Sequence, residues 1–349
     1  MLISKLHKIS LLDQKPRFES EHGSIQSITA DSLPVLKNLS IERVVLKPNA
    51  IRSPRWLVNA NEMGFVLKGK ALVSILGTSN NFNAFTLTQG EMFHVKNGAL
   101  HHIENAADDD LELLIAYRHE RPVDFGLANS FAAFTPAVIG NTYDHDMRDW
   151  KSLIPKDTMG PKEIVKRQGP LKIPEHAHWP NPNKFNNAGM QPPVNWPNIG
   201  SARTARSQFW PALEDMAMYN LLVLEDGMRE PHWHPLTGEM GYVEEGDARM
   251  TVMDPDGSLD TFTLQKGDVY FIPASFPHHI ECVKPDHIQF LIFFDQPMPQ
   301  DVAFRTGAEL IGADVLASSL GVPLKALPAK FPVATADPLI VARKNPVDP

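Results

Sequence analysis

Four residues in the last third of the chain have the types and the spacing of a metal site. They are His232, His234, Glu239 and His278. His232 and His234 stand at positions i and i+2, a spacing that points both imidazoles to one face of a β-strand. The segment 235–238 can turn the chain so that Glu239 returns beside them, and His278 arrives from a separate strand. Three neutral imidazoles and one carboxylate suit Mn, Fe, Zn, Ni or Cu and leave coordination positions open.

The alternative is that these are ordinary buried or surface histidines. A single His-x-His pair favours that interpretation, whereas four ligands spread over two glycine-bounded motifs favour a metal site. His279 alternates to the other face of its strand, so we expect it to have a structural role or to support the ligands from behind. His176 and His178 lie in a segment without such strands, and we do not expect them to bind a metal.

The chain contains two copies of one sequence pattern, offset by 177 residues. Residues 54–69 read PRWLVNANEMGFVLKG and residues 231–246 read PHWHPLTGEMGYVEEG. Between 54–104 and 231–281, 16 of 51 positions are identical without a gap. About three identities would be expected by chance from ordinary residue usage. The sequence therefore predicts a duplicated domain.

The first copy has lost half of the metal set. Arg55 stands where the second copy has His232, and Leu57 stands where it has His234. Only Glu62 and His101 remain, and one carboxylate with one imidazole holds a divalent ion poorly. We expect Arg55 to pair with Glu62, so that a guanidinium replaces the charge of the ion. The alternative is a first-copy site built from other residues such as His94 or His119.

Both copies read as antiparallel β-structure. In the second copy, short apolar runs alternate with turn residues. These runs are YNLLVLED, EMGYVEEG, ARMTVMD, TFTLQKG, DVYFIPA and IQFLIFFD. Six or more short strands in about 100 residues, without helices between them, are typical of a closed jelly-roll barrel. The predicted fold class is all-β, with two tandem jelly-roll barrels, a Pro-rich linker and short C-terminal helices.

These motifs resemble the bicupin branch of the cupin superfamily, specifically the oxalate decarboxylase-like proteins. The first cupin motif, G-x4-5-H-x-H-x4-E-x6-G, is matched from Gly227 to Gly246. The second, G-x5-P-x-G-x2-H-x3-N, is matched by Gly267, Pro273 and His278, with Ser275 replacing its glycine and Cys282 its asparagine. The resemblance covers roughly residues 20–130 and 195–325 and implies cupin barrels.

The resemblance also implies a cofactor and a substrate class. It implies one manganese ion per chain, with iron, zinc or nickel as alternatives, and a small carboxylate as substrate. The matching arginine, Arg229, would bind the substrate carboxylate, although strict strand alternation places it opposite to His232 unless a bulge intervenes; the alternative for Arg229 is a structural salt bridge. The first-copy lid has Asn129 and Ser130 but lacks the glutamate of the family, which leaves Asp295 or Asp301 as candidate proton donors.

Composition excludes several other classes. The net charge is −8, with 41 acidic and 33 basic residues and no basic block, which argues against a nucleic-acid partner. No apolar run of about 18 residues is present to span a membrane. The single cysteine, Cys282, permits no internal disulfide. The opening MLISKLHKISLLDQ lacks the apolar region of a signal peptide, so we expect a cytoplasmic location.

The predicted organisation has four parts. They are an N-terminal cupin domain at 1–144, a linker or extended arm at 145–197, a C-terminal cupin domain at 198–325 and a Pro-rich tail at 326–349. The apolar stretch 308–320 could be an assembly helix, and the resemblance implies trimers or hexamers. Three functions compete: a manganese enzyme that decarboxylates or oxidises a small carboxylate, a cupin dioxygenase or isomerase acting on another small molecule, and a non-enzymatic storage or binding bicupin.

Overall fold

A computed structural model describes residues 7–153, 163–283, 287–331 and 339–347. By its internal contacts the chain forms two compact units. The first barrel unit contains residues 14–29 and 40–189, and the second barrel unit contains residues 1–13, 30–39 and 190–349. The described strands and helices follow in chain order.

The strands up to the middle of the chain are β1 (Lys8–Ser10), β2 (Phe18–Ser20), β3 (Gly23–Ile28), β4 (Ser40–Leu46), β5 (Ala50–Leu57), β6 (Glu62–Lys68), β7 (Lys70–Leu76), β8 (Phe82–Thr88), β9 (Glu91–Val95), β10 (Leu100–Asn105), β11 (Leu111–Tyr117), β12 (Asp124–Gly126), β13 (Ile164–Lys166) and β14 (Lys184–Asn186). The helices that follow β12 are α1 (Leu127–Ala133), α2 (Pro136–Thr142) and α3 (Met147–Leu153).

The strands of the rest of the chain are β15 (Val194–Trp196), β16 (Gly200–Ala205), β17 (Ala217–Leu224), β18 (Gly227–Trp233), β19 (Glu239–Glu245), β20 (Ala248–Met253), β21 (Leu259–Leu264), β22 (Asp268–Ile272), β23 (His278–Cys282), β24 (His287–Phe294), β25 (Val302–Ala303) and β26 (Ile340–Ala342). The helices that follow β25 are α4 (Phe304–Ile311) and α5 (Ala313–Leu320).

Each unit is built from two antiparallel sheets. In the first unit the strand orders are β14-β9-β6-β11-β4-β3-β2 and β12-β5-β10-β7-β8, with β13 also paired to β5. In the second unit they are β1-β22-β19-β24-β17-β16-β15 and β21-β20-β23-β18-β25, with β26 also paired to β18. Alternating side chains of both sheets fill one apolar core in each unit. The predicted duplication of an all-β jelly roll is confirmed.

The residues that make up each compact unit differ from the predicted domain boundaries. Strand β1 pairs with β22 and therefore extends a sheet of the second unit. The predicted linker at 145–197 supplies β13 and β14 to sheets of the first unit and β15 to a sheet of the second. Three-residue edge strands in a Pro- and Asn-rich segment carry too little hydrophobic pattern to be recognised in the sequence. Residues 154–162 of that linker lie outside the described part.

The helices also refine the prediction. The stretch expected to form one C-terminal helix forms two, α4 and α5, because Gly312 between them has φ +94°, outside the helical region. Helices α1–α3 were not predicted. Part of the predicted Pro-rich tail forms β26, while residues 332–338 and 348–349 lie outside the described part. No helix among the described residues is long and apolar enough to cross a bilayer.

Candidate metal centre

Three strands of the second unit bring the predicted ligands together. His232 lies on β18 directly opposite His278, the first residue of β23. His234 follows two positions later, and Glu239 begins β19. All four side chains are buried, with at most 4% of their surface exposed. Their ligand atoms all lie within 4.8 Å of one another, a separation suited to bonds of about 2.0–2.2 Å to a shared ion.

Within the described ranges, no other group of three or more His, Cys, Asp or Glu side chains is close enough to share an ion. The alternative first-copy ligands, His94 and His119, are not part of such a group, nor are His176 and His178. His279 is half-buried on the opposite face of β23, and its Nε2 lies 3.6 Å from Glu281 Oε2.

A β-bulge in β18 determines where Arg229 points. Arg229 pairs with Ile280 and His232 pairs with His278, so three steps on β18 match two on β23. The extra residue resets the alternation of faces. Arg229 and His232 are both buried, and the charge of Arg229 contributes to the lowered pKa of His232. The bulge that the sequence analysis allowed for is therefore present, and strict alternation does not hold between Arg229 and His232.

Backbone carbonyl groups fix the tautomer of all three imidazoles. His232 Nδ1 donates to Glu230 O at 2.8 Å, His234 Nδ1 to Gln300 O at 3.0 Å and His278 Nδ1 to Phe276 O at 2.9 Å. A carbonyl oxygen can only accept, so each Nδ1 carries the hydrogen. With Nδ1 engaged in this way, Nε2 is the atom that each ring offers to a metal, as in metal-binding histidines.

The carboxylate of Glu239 lies at the centre of this group. Glu239 Oε2 lies 2.8 Å from His234 Nε2 and 3.3 Å from His278 Nε2, and Tyr270 donates its hydroxyl to Glu239 Oε1 at 2.7 Å. Burial raises the pKa of Glu239, but His278 and His234 outweigh burial and hold this pKa well below its usual range. The carboxyl group is thus ionised at neutral pH.

The arrangement of this cluster fits a bound cation. Nε2 of His278 is buried and makes no hydrogen bond to the described residues. Burial, followed by the charge of Arg229, lowers the pKa of His232 well below its usual range, so this ring stays neutral. A divalent ion among the four groups would bind this unsatisfied nitrogen and balance the charge of Glu239. The residues present therefore fit a metal.

Arg229 is held by two acceptors. Its Nη1 donates to Leu339 O at 3.0 Å, and its Nη2 is paired with the carboxylate of Asp301. Leu339 immediately precedes β26, which pairs with β18 at Arg229. The salt bridge that the sequence left as an alternative is present, and it holds a guanidinium close enough to His232 to affect its pKa.

Asp295 is engaged elsewhere. Its Oδ1 accepts from Gly238 N at 2.8 Å and its Oδ2 from Asn38 Nδ2 at 2.9 Å. Gly238 directly precedes Glu239, so Asp295 anchors the turn that presents the carboxylate ligand. Both carboxylate oxygens of Asp295 are thus occupied by donors within the protein, which argues against its predicted role as a proton donor.

In the first unit an arginine takes the place of the missing histidines. Arg55 Nη2 donates to Glu62 Oε2 and to Tyr117 Oη, both at 2.9 Å, which is the ion pair expected from the sequence. His101 Nε2 lies 3.3 Å from Glu62 Oε2, and Leu57 is buried in the apolar core. Although burial raises the pKa of Glu62, Arg55 and then His101 lower it to about 2.

Sequence reasoning missed Tyr270 and Leu339. The offset of 177 places Tyr270 opposite Phe93 and Tyr117 opposite Phe294, so each copy has one tyrosine and one phenylalanine in exchanged positions. That exchange is a signal that could have identified Tyr270. Leu339 acts through its backbone carbonyl, for which a sequence offers no signal.

Comparison with known proteins places this geometry in context. A family model described as Cupin matches residues 9–149 and 186–325. The chain is homologous to oxalate decarboxylases. It is 28% identical over 305 residues to oxalate decarboxylase OxdC of Bacillus subtilis, covering 85% of this chain and 77% of that protein. It is 24% identical over 323 residues to a probable oxalate decarboxylase of Arthroderma benhamiae, covering 87% and 76%.

Solved structures agree on the fold. The structure of oxalate decarboxylase from Bacillus subtilis at pH 4.6 superposes with a TM-score of 0.85 at 24% identity, covering 97% of this chain and 88% of that chain. Another structure of the Bacillus subtilis enzyme, solved in work on its Mn(II) centres, has a TM-score of 0.83 at 24% identity and covers 97% of this chain and 89% of that one.

Proposed function

The chain belongs to the cupin family, and we propose that its second barrel is a divalent-metal enzyme that decarboxylates a small carboxylate such as oxalate. The observation that carries the proposal is the convergence of three Nδ1-protonated imidazoles on the ionised carboxylate of Glu239. The relatives named as oxalate decarboxylases match both halves of the chain and support the choice of reaction.

One ion per chain is proposed, held by His232, His234, Glu239 and His278. The mixed nitrogen and oxygen donors suit manganese, and the Mn(II) centres of the Bacillus subtilis enzyme support that choice over iron, zinc or nickel. We assign no ion to the first barrel, because the guanidinium of Arg55 already neutralises Glu62.

The metal ion, Arg229 and the residues that hold Arg229 would have different roles in substrate binding. When bound, the metal ion would supply the positive charge that neutralises and orients a substrate carboxylate. The guanidinium of Arg229 would donate hydrogen bonds to a substrate oxygen, and Asp301 together with Leu339 O would hold it in position. Tyr270 and the backbone acceptors keep the ligands oriented, so the site is preorganised before substrate arrives.

The test is release of carbon dioxide and formate from oxalate by the purified, manganese-loaded chain. His234→Ala should abolish the release, because one ligand and its contact with Glu239 are lost. His176→Ala, which alters an exposed histidine that is not a member of the ligand group, is the matched control and should keep full activity. Absence of carbon dioxide from the loaded wild type, or equal turnover in His234→Ala, would refute the proposal.

Oxygen uptake separates the competing enzyme class. A decarboxylase of this kind produces carbon dioxide and formate without net consumption of oxygen, whereas a dioxygenase consumes one oxygen molecule per turnover. An oxygen electrode in the same assay distinguishes the two.

Assembly into trimers or hexamers and a cytoplasmic location stay predictions from the sequence.

A further inference from the structure

A cleft lies in the first barrel unit, and its wall contains neither residue of the Arg55–Glu62 ion pair. Its volume is about 420 Å³, within the range of roughly 300–1,000 Å³ that is usual for ligand pockets. It lies where β7 ends and β8 and β10 begin, with one residue from the segment before β14. We call it the amide cleft, after the polar residues that line it: Thr78, Asn81, Asn83, Asn97 and Asn183.

Hydrogen bonds between neighbours orient the amide groups. Asn83 Nδ2 donates to Asn81 Oδ1 at 3.3 Å, and Asn181 Nδ2 donates to Asn83 Oδ1 at 3.0 Å. Asn183 Nδ2 donates to His94 O at 2.9 Å. These bonds use the carbonyl oxygen of Asn81 and the amino group of Asn183. The amino group of Asn81 and the carbonyl oxygen of Asn183 therefore stay available for a ligand.

The lining offers donors and acceptors together. The side chains of Thr78 and Asn97 are exposed, and each can donate and accept hydrogen bonds. No carboxylate lines the cleft, which argues against a cation, and Lys96 is the one charged residue in its wall. Hydroxyl groups, which donate and accept at the same atom, complement such a wall best. We propose that the amide cleft binds a neutral saccharide of one or two sugar units.

The duplicated barrel shows that the fold does not require the amide of Asn97. At the offset of 177, Asn97 corresponds to Ala274, Lys96 to Pro273 and Ala99 to Phe276. The second copy thus has apolar residues at three positions of the cleft wall. The first copy forms the same strands with Asn97 in place of an alanine, so the barrel does not need this amide in order to fold.

The experiment is saturation-transfer NMR on the full chain with glucose, xylose, maltose and glucuronate, followed by titration. We expect transfer to the neutral sugars. Asn97→Ala, which introduces the residue of the second copy, should weaken their affinity about three- to tenfold, the usual effect of one lost hydrogen bond. Asn195→Ala removes an exposed asparagine on β15 and should leave the affinity unchanged.

A second variant tests whether the sugars bind inside the amide cleft, because its new side chain would fill the cleft. Ala99→Phe, again the residue of the second copy, should fill the cleft and abolish transfer, and an unchanged circular dichroism spectrum would show that the barrel has folded. Three results would overturn the proposal: no transfer to any neutral sugar, equal affinity in Asn97→Ala, or binding of glucuronate alone that disappears in Lys96→Ala.

Discussion

At the scale of single residues, the second-barrel site depends on which atom of each imidazole carries the proton. Backbone acceptors settle this for His232, His234 and His278 before any ion arrives. The sequence identified all four candidate ligands, because their spacing on strands is regular. It could not identify the acceptors, because Glu230, Gln300 and Phe276 contribute only their carbonyl groups.

Arg229 provides the first residue-level prediction. Arg229→Lys keeps a positive charge but loses the fork that spans Asp301 and Leu339 O. We expect kcat/KM for oxalate to fall about 10- to 100-fold, the equivalent of one charged hydrogen bond of about 1.5–3 kcal/mol, while metal content stays at the wild-type level. Steady-state kinetics beside elemental analysis give both values, and an unchanged kcat/KM would show that Arg229 is only structural.

Glu62 provides a pH-dependent prediction in the first barrel. Its pKa in the folded chain is about 2, below the usual value near 4.5 of an unfolded glutamate. Its contribution to stability is therefore complete above pH 4.5 and is lost as the pH falls toward 2. Glu62→Gln should destabilise the chain by about 3 kcal/mol at pH 7, because the Arg55 charge stays buried, and by clearly less at pH 3.

Denaturant unfolding at both pH values measures this difference. The exposed Glu19 on β2 supplies the control, since Glu19→Gln should change stability by less than about 0.5 kcal/mol at either pH. A gap between the wild type and Glu62→Gln that stays constant from pH 7 to pH 3 would contradict the assigned ion pair.

At the scale of elements, strand β18 organises the second-barrel site. The bulge between Arg229 and His232 brings both residues to one face, and the first copy repeats it on β5 between Arg52 and Arg55. Strand alternation, which the sequence does encode, correctly paired His232 with His234 but failed for Arg229. A bulge depends on the register with a neighbouring strand, and that register is not visible in a single sequence.

Strand β26 provides the element-level prediction. It pairs with β18 at Arg229, and Ile340 and Val341 are buried. A chain that stops after Lys330 should lose about 3 kcal/mol of stability, because this apolar surface becomes exposed. It should also show at least a tenfold higher KM for oxalate, because Arg229 loses Leu339 O.

A chain that stops after Lys344 keeps β26 and is the matched control. It should match the full chain in both thermal stability and KM. If the shorter chain also behaves like the full chain, β26 has no part in positioning Arg229. The Pro-rich composition of 326–349 predicted a tail without regular structure. A strand of three residues, two of them buried, is too short a signal to change that prediction.

At the scale of the whole molecule, the two copies of the duplicated barrel have different side chains at corresponding positions. The second barrel keeps three imidazoles and a carboxylate, and the first has an Arg55–Glu62 ion pair at the corresponding positions. Duplication, all-β class and the loss of ligands were all predictable, because they follow from aligned residues. The assignment of β1 and of the linker strands to particular sheets was not, since it depends on tertiary pairing of very short segments.

This difference predicts that the first barrel can be made to bind a metal ion when the missing ligands are restored. The Nδ1 of His101 already donates a hydrogen bond to Ala99 O at 3.0 Å, as the Nδ1 of His278 does to Phe276 O in the second barrel. The double variant Arg55→His, Leu57→His restores the missing ligand types at the aligned positions. We expect it to bind a second ion per chain, measured by elemental analysis, whereas Leu57→His alone should not. A double variant that folds but binds no additional ion would contradict the proposed equivalence of the two sites.

The most direct test of the central claim is the number of tightly bound transition-metal ions per purified chain. We predict one ion, predominantly manganese, in the wild type, none in His234→Ala and one in His101→Ala, because the ion belongs to the second barrel alone. Two ions in the wild type, or an ion retained in His234→Ala and lost in His101→Ala, would contradict this assignment.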